Sequence, residues 1–247
     1  MGCRELQRNG GRRAAVAMIL GLLASGAAMA KSTCEETQSQ VKNRDGRSLH
    51  LVVALCRAAG ERRFTVNLAP AAGHPFHTVL HTTQRLAEAP DGTAAFVDLD
   101  GDGANEVEIR GSCGTGPNCE GTIYRLAADS LTMVPYFRSG YASLTMIDDY
   151  LVESSRASCC AWESHGFKVD PAAKEITEKD LVLRIDVSTE GGEDGKPLAV
   201  ECSFHRREGE SWTDVDPPSN AWLPLCEQYG KKYKLRSPAP AGKPDKP

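Results

Sequence analysis

The sequence predicts an all-β fold: a single domain of short antiparallel strands, propeller-like or sandwich, stabilised by disulfides. Three observations carry that prediction. Runs rich in β-branched and aromatic residues recur at spacings of roughly 8–15 residues, divided by Gly, Pro and Asp turn signals. No long segment shows the 3.6-residue apolar period of an amphipathic helix. Nine Cys among 247 residues point to an oxidising compartment.

In chain order, residues 1–30 read as a secretory signal peptide. Arg4, Arg8, Arg12 and Arg13 form a basic start, Ala14 to Ala28 an apolar stretch, and Ala28-Met29-Ala30 a small-x-small cleavage site. The apolar stretch is short against the roughly 20 residues of a spanning helix, so no membrane span is expected after cleavage. Lys31-Ser32-Thr33 before Cys34 is no lipobox, and the expected location is periplasmic or secreted. Residues 31–236 are expected to form the folded domain. Glu35 to Lys42 reads as a short helix. Leu49 to Leu55 and Phe64 to Leu68 are β-suited runs joined by a turn over residues 58–62. Next come His77 to Thr83, Ala94 to Leu99, Glu106 to Arg110, Thr122 to Leu126, Thr132 to Phe137, Ser143 to Ile147 and Tyr150 to Ser154. The last runs are Ala161 to Val169, Leu181 to Val187, Leu198 to Phe204 and Trp212 to Val215. Lys231 to Arg236 reads as a solvated basic terminus, and Ser237 to Pro247 is Pro-rich and expected to be disordered.

Charge narrows the partners. The chain has 29 basic and 33 acidic residues, a net charge of −4. Residues 1–30 carry four Lys/Arg and one acid, which leaves 25 basic and 32 acidic residues beyond them, a net charge of −7. An acidic surplus argues against nucleic acid as the main partner, because phosphate binding needs clustered Lys and Arg.

Cys3 leaves with the leader. The remaining eight, Cys34, Cys56, Cys113, Cys119, Cys159, Cys160, Cys202 and Cys226, form an even set, which reads as four disulfides. The two expected pairs are Cys113–Cys119, across a short Gly/Pro loop, and Cys202–Cys226. A disulfide between the neighbours Cys159 and Cys160 would be strained. Those sulfurs are expected to bridge elsewhere, or to crosslink to Cys113 and Cys119. No Cys-x-x-Cys spacing supports a metal role for them.

The most specific local signal is Asp98-Leu99-Asp100-Gly101-Asp102-Gly103-Ala104-Asn105-Glu106. Asp98, Asp100 and Asp102 bring three carboxylates around one point, and Gly103 permits the sharp turn. Ala104 can offer a backbone carbonyl, and Glu106 can close the shell directly or through water. Hard oxygen ligands in a flexible loop suit Ca²⁺. Three adjacent carboxylates also repel one another until a cation joins them. An EF-hand carries a bidentate Glu at position 12, where this chain has Ile109, so the loop is a strand–loop–strand site instead.

Phe96 to Gly103, followed by Glu106-Val107-Glu108-Ile109, resembles an FG-GAP/VCBS-type calcium repeat of β-propellers, present in one copy. Gly111 to Cys119, Ile123 to Leu126, Leu131 to Phe137 and the Cys159-Cys160 pair extend the likeness over roughly residues 75–170. The layout resembles small exported propeller-like proteins related to periplasmic lysozyme inhibitors. The resemblance implies binding and inhibition of a lysozyme-like peptidoglycan hydrolase, as an inhibitor or immunity protein. Inhibitors of that kind present a Ser-Gly-x-x-Tyr loop. Here the segment is Ser139-Gly140-Tyr141-Ala142-Ser143, with Tyr directly after Gly and Ser143 at the family's Tyr position. Arg138, Ser139, Gly140 and Tyr141 are the expected partner contacts, on a loop after a strand ending at Phe137. The alternative is a calcium-stabilised adhesion or scaffold module of the envelope.

No catalytic constellation appears, and the chain is not expected to be an enzyme. His77 and His81 would share one face of a strand, but no partner stands at ligand spacing beside them or His74. Residues 191–197 lack the Gly and the Ser/Thr of a phosphate loop. Asp148, Asp149 and Glu153 read as turn and strand residues, not glycosidase acids.

Overall fold

Period-2 alternation places side chains on opposite faces of each strand, and here it builds three antiparallel sheets in succession. A computed structural model describes residues 34–114, 116–127, 131–170, 173–191 and 197–236. The signal-peptide reading, the Pro-rich tail and most of the Gly-rich turn at 191–197 lie outside them. The first sheet contains β1 (Glu35–Lys42), β2 (Ser48–Cys56), β3 (Glu61–Ala69) and β4 (His77–Arg85), in that order. The middle sheet contains β5 (Thr93–Val97), β6 (Glu106–Cys113), β7 (Cys119–Leu126) and β8 (Met133–Tyr141), again in order. The third runs from β9 (Ser143–Ile147) through β10 (Tyr150–Ser158), β11 (Ala161–Lys168), β12 (Leu181–Gly191) and β13 (Pro197–Glu208) to β14 (Ser211–Val215). A short β15 (Lys234–Arg236) adds to β13 in parallel.

The middle sheet is covered on both faces. Val107, Ile109 and Met133 meet Leu49, Leu51, Phe64, Val66 and Leu68 of the first sheet. On the other face Ile123, Tyr136, Phe137 and Tyr141 meet Leu151, Phe167 and Leu181. The third sheet's remaining face packs Val152, Leu183, Ile185, Val187 and Phe204 under Trp222, Leu225 and Cys226 of a 3₁₀ segment, Asn220–Tyr229. Trp222 is fully buried, its indole N–H donates to Asp148 Oδ2 at 3.0 Å, and Tyr150 meets it edge-on. Gly166 makes that fit possible, since a Cβ there would stand 3.1 Å from both Leu183 and the Trp222 ring.

Two expectations are corrected. Glu35–Lys42 is an exposed edge strand, not a helix: it pairs with β2 along its whole length, and the Cys34–Cys56 disulfide staples its start. The basic run Lys231 to Arg236 is solvated as expected, apart from half-buried Tyr233, and its exposed end pairs as β15 beside Glu201 to Ser203. Three disulfides form among the described residues, Cys34–Cys56, Cys113–Cys119 and Cys202–Cys226. Cys159 and Cys160 bridge to none of them, because all six other sulfurs are already paired. The three disulfides fit an extracytoplasmic protein. Among the described residues, no helix is long and apolar enough to cross a membrane.

A bulge in β4 separates the histidines. The register passes from Val66↔Leu80 to Asn67↔Thr78, so Val79 is the extra residue and His77 and His81 fall on opposite faces. Both are exposed, and His81 Nδ1 meets Thr65 Oγ1 at 3.0 Å.

On the third sheet, His165 lies between two carboxylates. Its Nδ1 meets Glu153 Oε1 at 2.8 Å and its Nε2 meets Glu163 Oε1 at 2.7 Å. The hydrogen bond to Glu153 raises the imidazole above its ordinary value, against the pull of burial and with help from Glu163. Folding therefore favours protonated His165. Its contribution is complete below the unfolded value of about 6.5 and is lost as pH rises through the folded value. Thermal melts across that range are expected to show stability falling with rising pH, and His165→Gln should flatten the slope. An unchanged slope in the variant would assign it to other groups.

Candidate metal centre

The β5–β6 connection folds on its own aspartates. Gly101 and Gly103 take positive φ, +73° and +83°, which lets the chain curl around the carboxylates. Asp100 Oδ1 accepts the Asp102 N–H at 3.2 Å, Asp98 Oδ1 that of Gly103 at 3.3 Å, and Asp102 Oδ1 that of Ala104 at 2.6 Å. One oxygen from each of Asp98, Asp100 and Asp102 lies within 4.8 Å of the others, and all three residues are exposed. Such a trio fits a hard divalent cation, which takes several carboxylate oxygens at 2.3–2.6 Å when it is Ca²⁺.

Glu106 does something else. It is 2% exposed, its Oε2 accepts the Leu99 N–H at 3.2 Å, and its Oε1 meets Arg125 Nε at 3.0 Å. Burial raises its carboxyl above the ordinary range, partly offset by the Leu99 N–H and Arg125. Both of its oxygens meet groups of the chain, so Glu106 anchors the loop, and it lies outside the trio of converging carboxylates. At Ala104 the N–H serves the turn through Asp102.

Three further residues hold the loop. Arg125 reaches from Glu106 to Asp100 Oδ2 at 3.0 Å and lies over the Tyr136 ring at 3.8 Å. Arg44, between β1 and β2, donates its N–H to Gly103 O at 2.8 Å and its guanidinium to Gly101 O at 3.3 Å. Buried Asn43 accepts both the backbone and side-chain N–H of Asn105. Neither Asn43 nor Arg44 is near the loop in sequence. Arg125 was visible only as the one charge in the run Thr122 to Leu126.

The expected partner loop is strand. Arg138, Ser139, Gly140 and Tyr141 complete β8, and Ala142 alone separates it from β9. Tyr141 is fully buried; its hydroxyl donates to Glu108 Oε1 at 2.8 Å, and Arg110 lies over its ring while donating to its carbonyl. Burial, reinforced by Glu108, holds the phenol far above its ordinary range. Gly121 on β7 makes room for the ring, since any Cβ there would collide with it. The expectation of an exposed Tyr141 is thus corrected: the apolar ring fills the gap between the middle and third sheets. Arg138 and Gly140 are exposed. With Ser139 they edge a cleft of about 530 Å³ whose other walls include Gln84, Glu120 and Thr122.

The fold and this loop define a disulfide-bonded, all-β protein with one three-carboxylate turn. No family model and no curated protein matches the chain. A solved structure of a Xanthomonas type IV secretion system related protein is similar at a TM-score of 0.43 and 11% identity, over 73% of this chain and 93% of that one.

Removing one partner of a buried pair costs more than the pair contributes, because the other charge stays desolvated. Arg125→Met, which strands Glu106, is expected to lower the unfolding free energy by about 3–5 kcal/mol in urea titration. Arg125→Lys should recover only part, since a point charge cannot span Glu106 and Asp100 as the planar fork does.

Proposed function

We propose that this is an exported calcium-binding protein that binds and inhibits a lysozyme-like cell-wall hydrolase, as an inhibitor or immunity protein. The convergence of Asp98, Asp100 and Asp102 on one point carries the calcium part. The hydrolase part rests on the sequence resemblance over roughly residues 75–170 and on the acidic surplus, which steers encounter with a basic enzyme. Burial of Tyr141 moves the contact from a protruding loop to the cleft edged by Arg138, Ser139 and Gly140. Arg is among the residue types enriched at binding hot spots, and Arg138 is the exposed one there.

The same burial favours a second reading, a calcium-stabilised adhesion or scaffold module of the envelope. Residues 138–141 offer no projecting loop to insert into an enzyme cleft.

Calcium at about 100 times its dissociation constant is expected to add about 2.7 kcal/mol of stability. That corresponds to a rise in Tm of roughly 5–10 °C for a domain of this size. EGTA should reverse the rise, and the double variant Asp98→Asn, Asp102→Asn should abolish it. A Tm indifferent to calcium would remove the calcium part of the proposal.

Near-stoichiometric loss of muramidase activity is expected against at least one member of a lysozyme panel. Arg138→Glu should weaken it by about tenfold or more without moving Tm. Binding to glycans or envelope proteins with no inhibition across the panel would establish the second reading instead.

A further inference from the structure

The tip of the β10–β11 hairpin carries two neighbouring thiols that no structural disulfide uses. Each of the three disulfides has at least one buried member, namely Cys56, Cys119, and both Cys202 and Cys226. Cys159 is exposed and Cys160 half-buried, with their Sγ atoms 2.9 Å apart. Arg156 pins the turn by donating to Ser158 O at 3.1 Å and Cys159 O at 2.9 Å. Ser158 Oγ accepts the Cys160 N–H at 3.2 Å.

The hairpin is also docked. Asn118, inside the loop closed by Cys113–Cys119, donates to Arg156 O at 3.0 Å and accepts the Arg156 N–H at 2.8 Å. A cleft of about 480 Å³ opens between that loop and the hairpin, lined by Gly114, Asn118, Arg156 and Cys159. A reactant entering it reaches Cys159 on the wall that Arg156 also lines.

We infer that Cys159 and Cys160 form a reversible thiol–disulfide exchange site that takes an organic disulfide as oxidant and returns to the dithiol with an organic thiol. The more exposed Cys159 loses its proton and attacks one sulfur of RSSR. A Cys159–SR bond forms, the S–S bond of RSSR breaks, and the expelled RS⁻ takes up a proton. Cys160, losing its own proton, then attacks the Cys159 sulfur and expels the second RS⁻, which is protonated in turn. Two protein thiols and one RSSR become one Cys159–Cys160 disulfide and two RSH; the protein is oxidised by two electrons and RSSR reduced by two.

A disulfide between these chain neighbours would close a small ring through the single peptide bond that joins them, so the bond carries strain and reduces readily. Exposure at a hairpin tip acts in the same direction. The site is therefore exchangeable, whereas the three disulfides with buried members are structural.

The test is to equilibrate the folded protein across ratios of glutathione to glutathione disulfide, quench with acid, block with a maleimide and map the peptides by mass. The peptide holding residues 159 and 160 should switch from doubly blocked to unblocked and two hydrogens lighter, at a more oxidising ratio than any other cystine. Cys160→Ser should trap Cys159 as its glutathione mixed disulfide. Both thiols blocked at every ratio would overturn the inference, as would no mixed disulfide in the variant. So would a crosslink from either sulfur to Cys113 or Cys119, or a Cys159–Cys160 bond reducible only after unfolding.

Discussion

Where the middle sheet is covered by its neighbours, charge is partly cut off from solvent, and β6 carries several charges there. Glu106, Glu108 and Arg110 alternate along β6 on the side that faces the third sheet, opposite Val107 and Ile109. Desolvation makes each of these costly unless it is paired where it stands. The pairs are local: Glu106 with Arg125, and Glu108 with the Tyr141 hydroxyl and, more distantly, Arg110. The bulge in β8 opposite Ile123 and Tyr124 inserts Tyr136, and its ring lies against the Arg125 guanidinium. Much of the local geometry between the middle and third sheets follows from finding partners for these groups.

The acidic loop inherits its order from that arrangement. Arg125 is fixed by Glu106 beneath it, so its second contact, to Asp100, reaches the loop from a held position. From the other side, the β1–β2 turn supplies Asn43 and Arg44, and close approach by the Arg44 side chain leaves no room for a Cβ at Gly103. The loop is thus gripped by two sheets. On the calcium reading, a cation at the three aspartates and the Arg125 guanidinium draw on the same negative charge at Asp100. The balance between them sets how strongly the loop favours the ion.

The strands were legible in the sequence because β-branched runs and turn residues record a local preference, and every expected run lies in or largely overlaps a strand. What escaped were elements whose stability comes from elsewhere. Residues 35–42 read Glu-Glu-Thr-Gln-Ser-Gln-Val-Lys and show no apolar face, because β1 is an exposed edge held by pairing with β2 and by Cys34–Cys56. β15 depends likewise on the edge of β13, and the 3₁₀ segment on burying Trp222. At the site, spacing alone identified the three converging aspartates. It could not tell a ligand from an anchor at Glu106, since that depends on Arg125 arriving from another strand.

The same residue type serves opposite ends according to where the fold places it. Tyr141 looked like a contact residue because it follows Ser139-Gly140, a turn-like pair; yet β8 continues through them, and Gly121 on the neighbouring strand offers the only kind of floor on which its ring can lie. Cys202 and Cys226 are buried and bonded between sheet and 3₁₀ segment, while Cys159 and Cys160 sit at a turn with their sulfurs 2.9 Å apart. Chain neighbours at a hairpin tip cannot tie distant parts of a fold together, so their disulfide would add little conformational restraint. On the exchange reading the role of such a pair is chemical, and the cleft beside Cys159 gives that chemistry access.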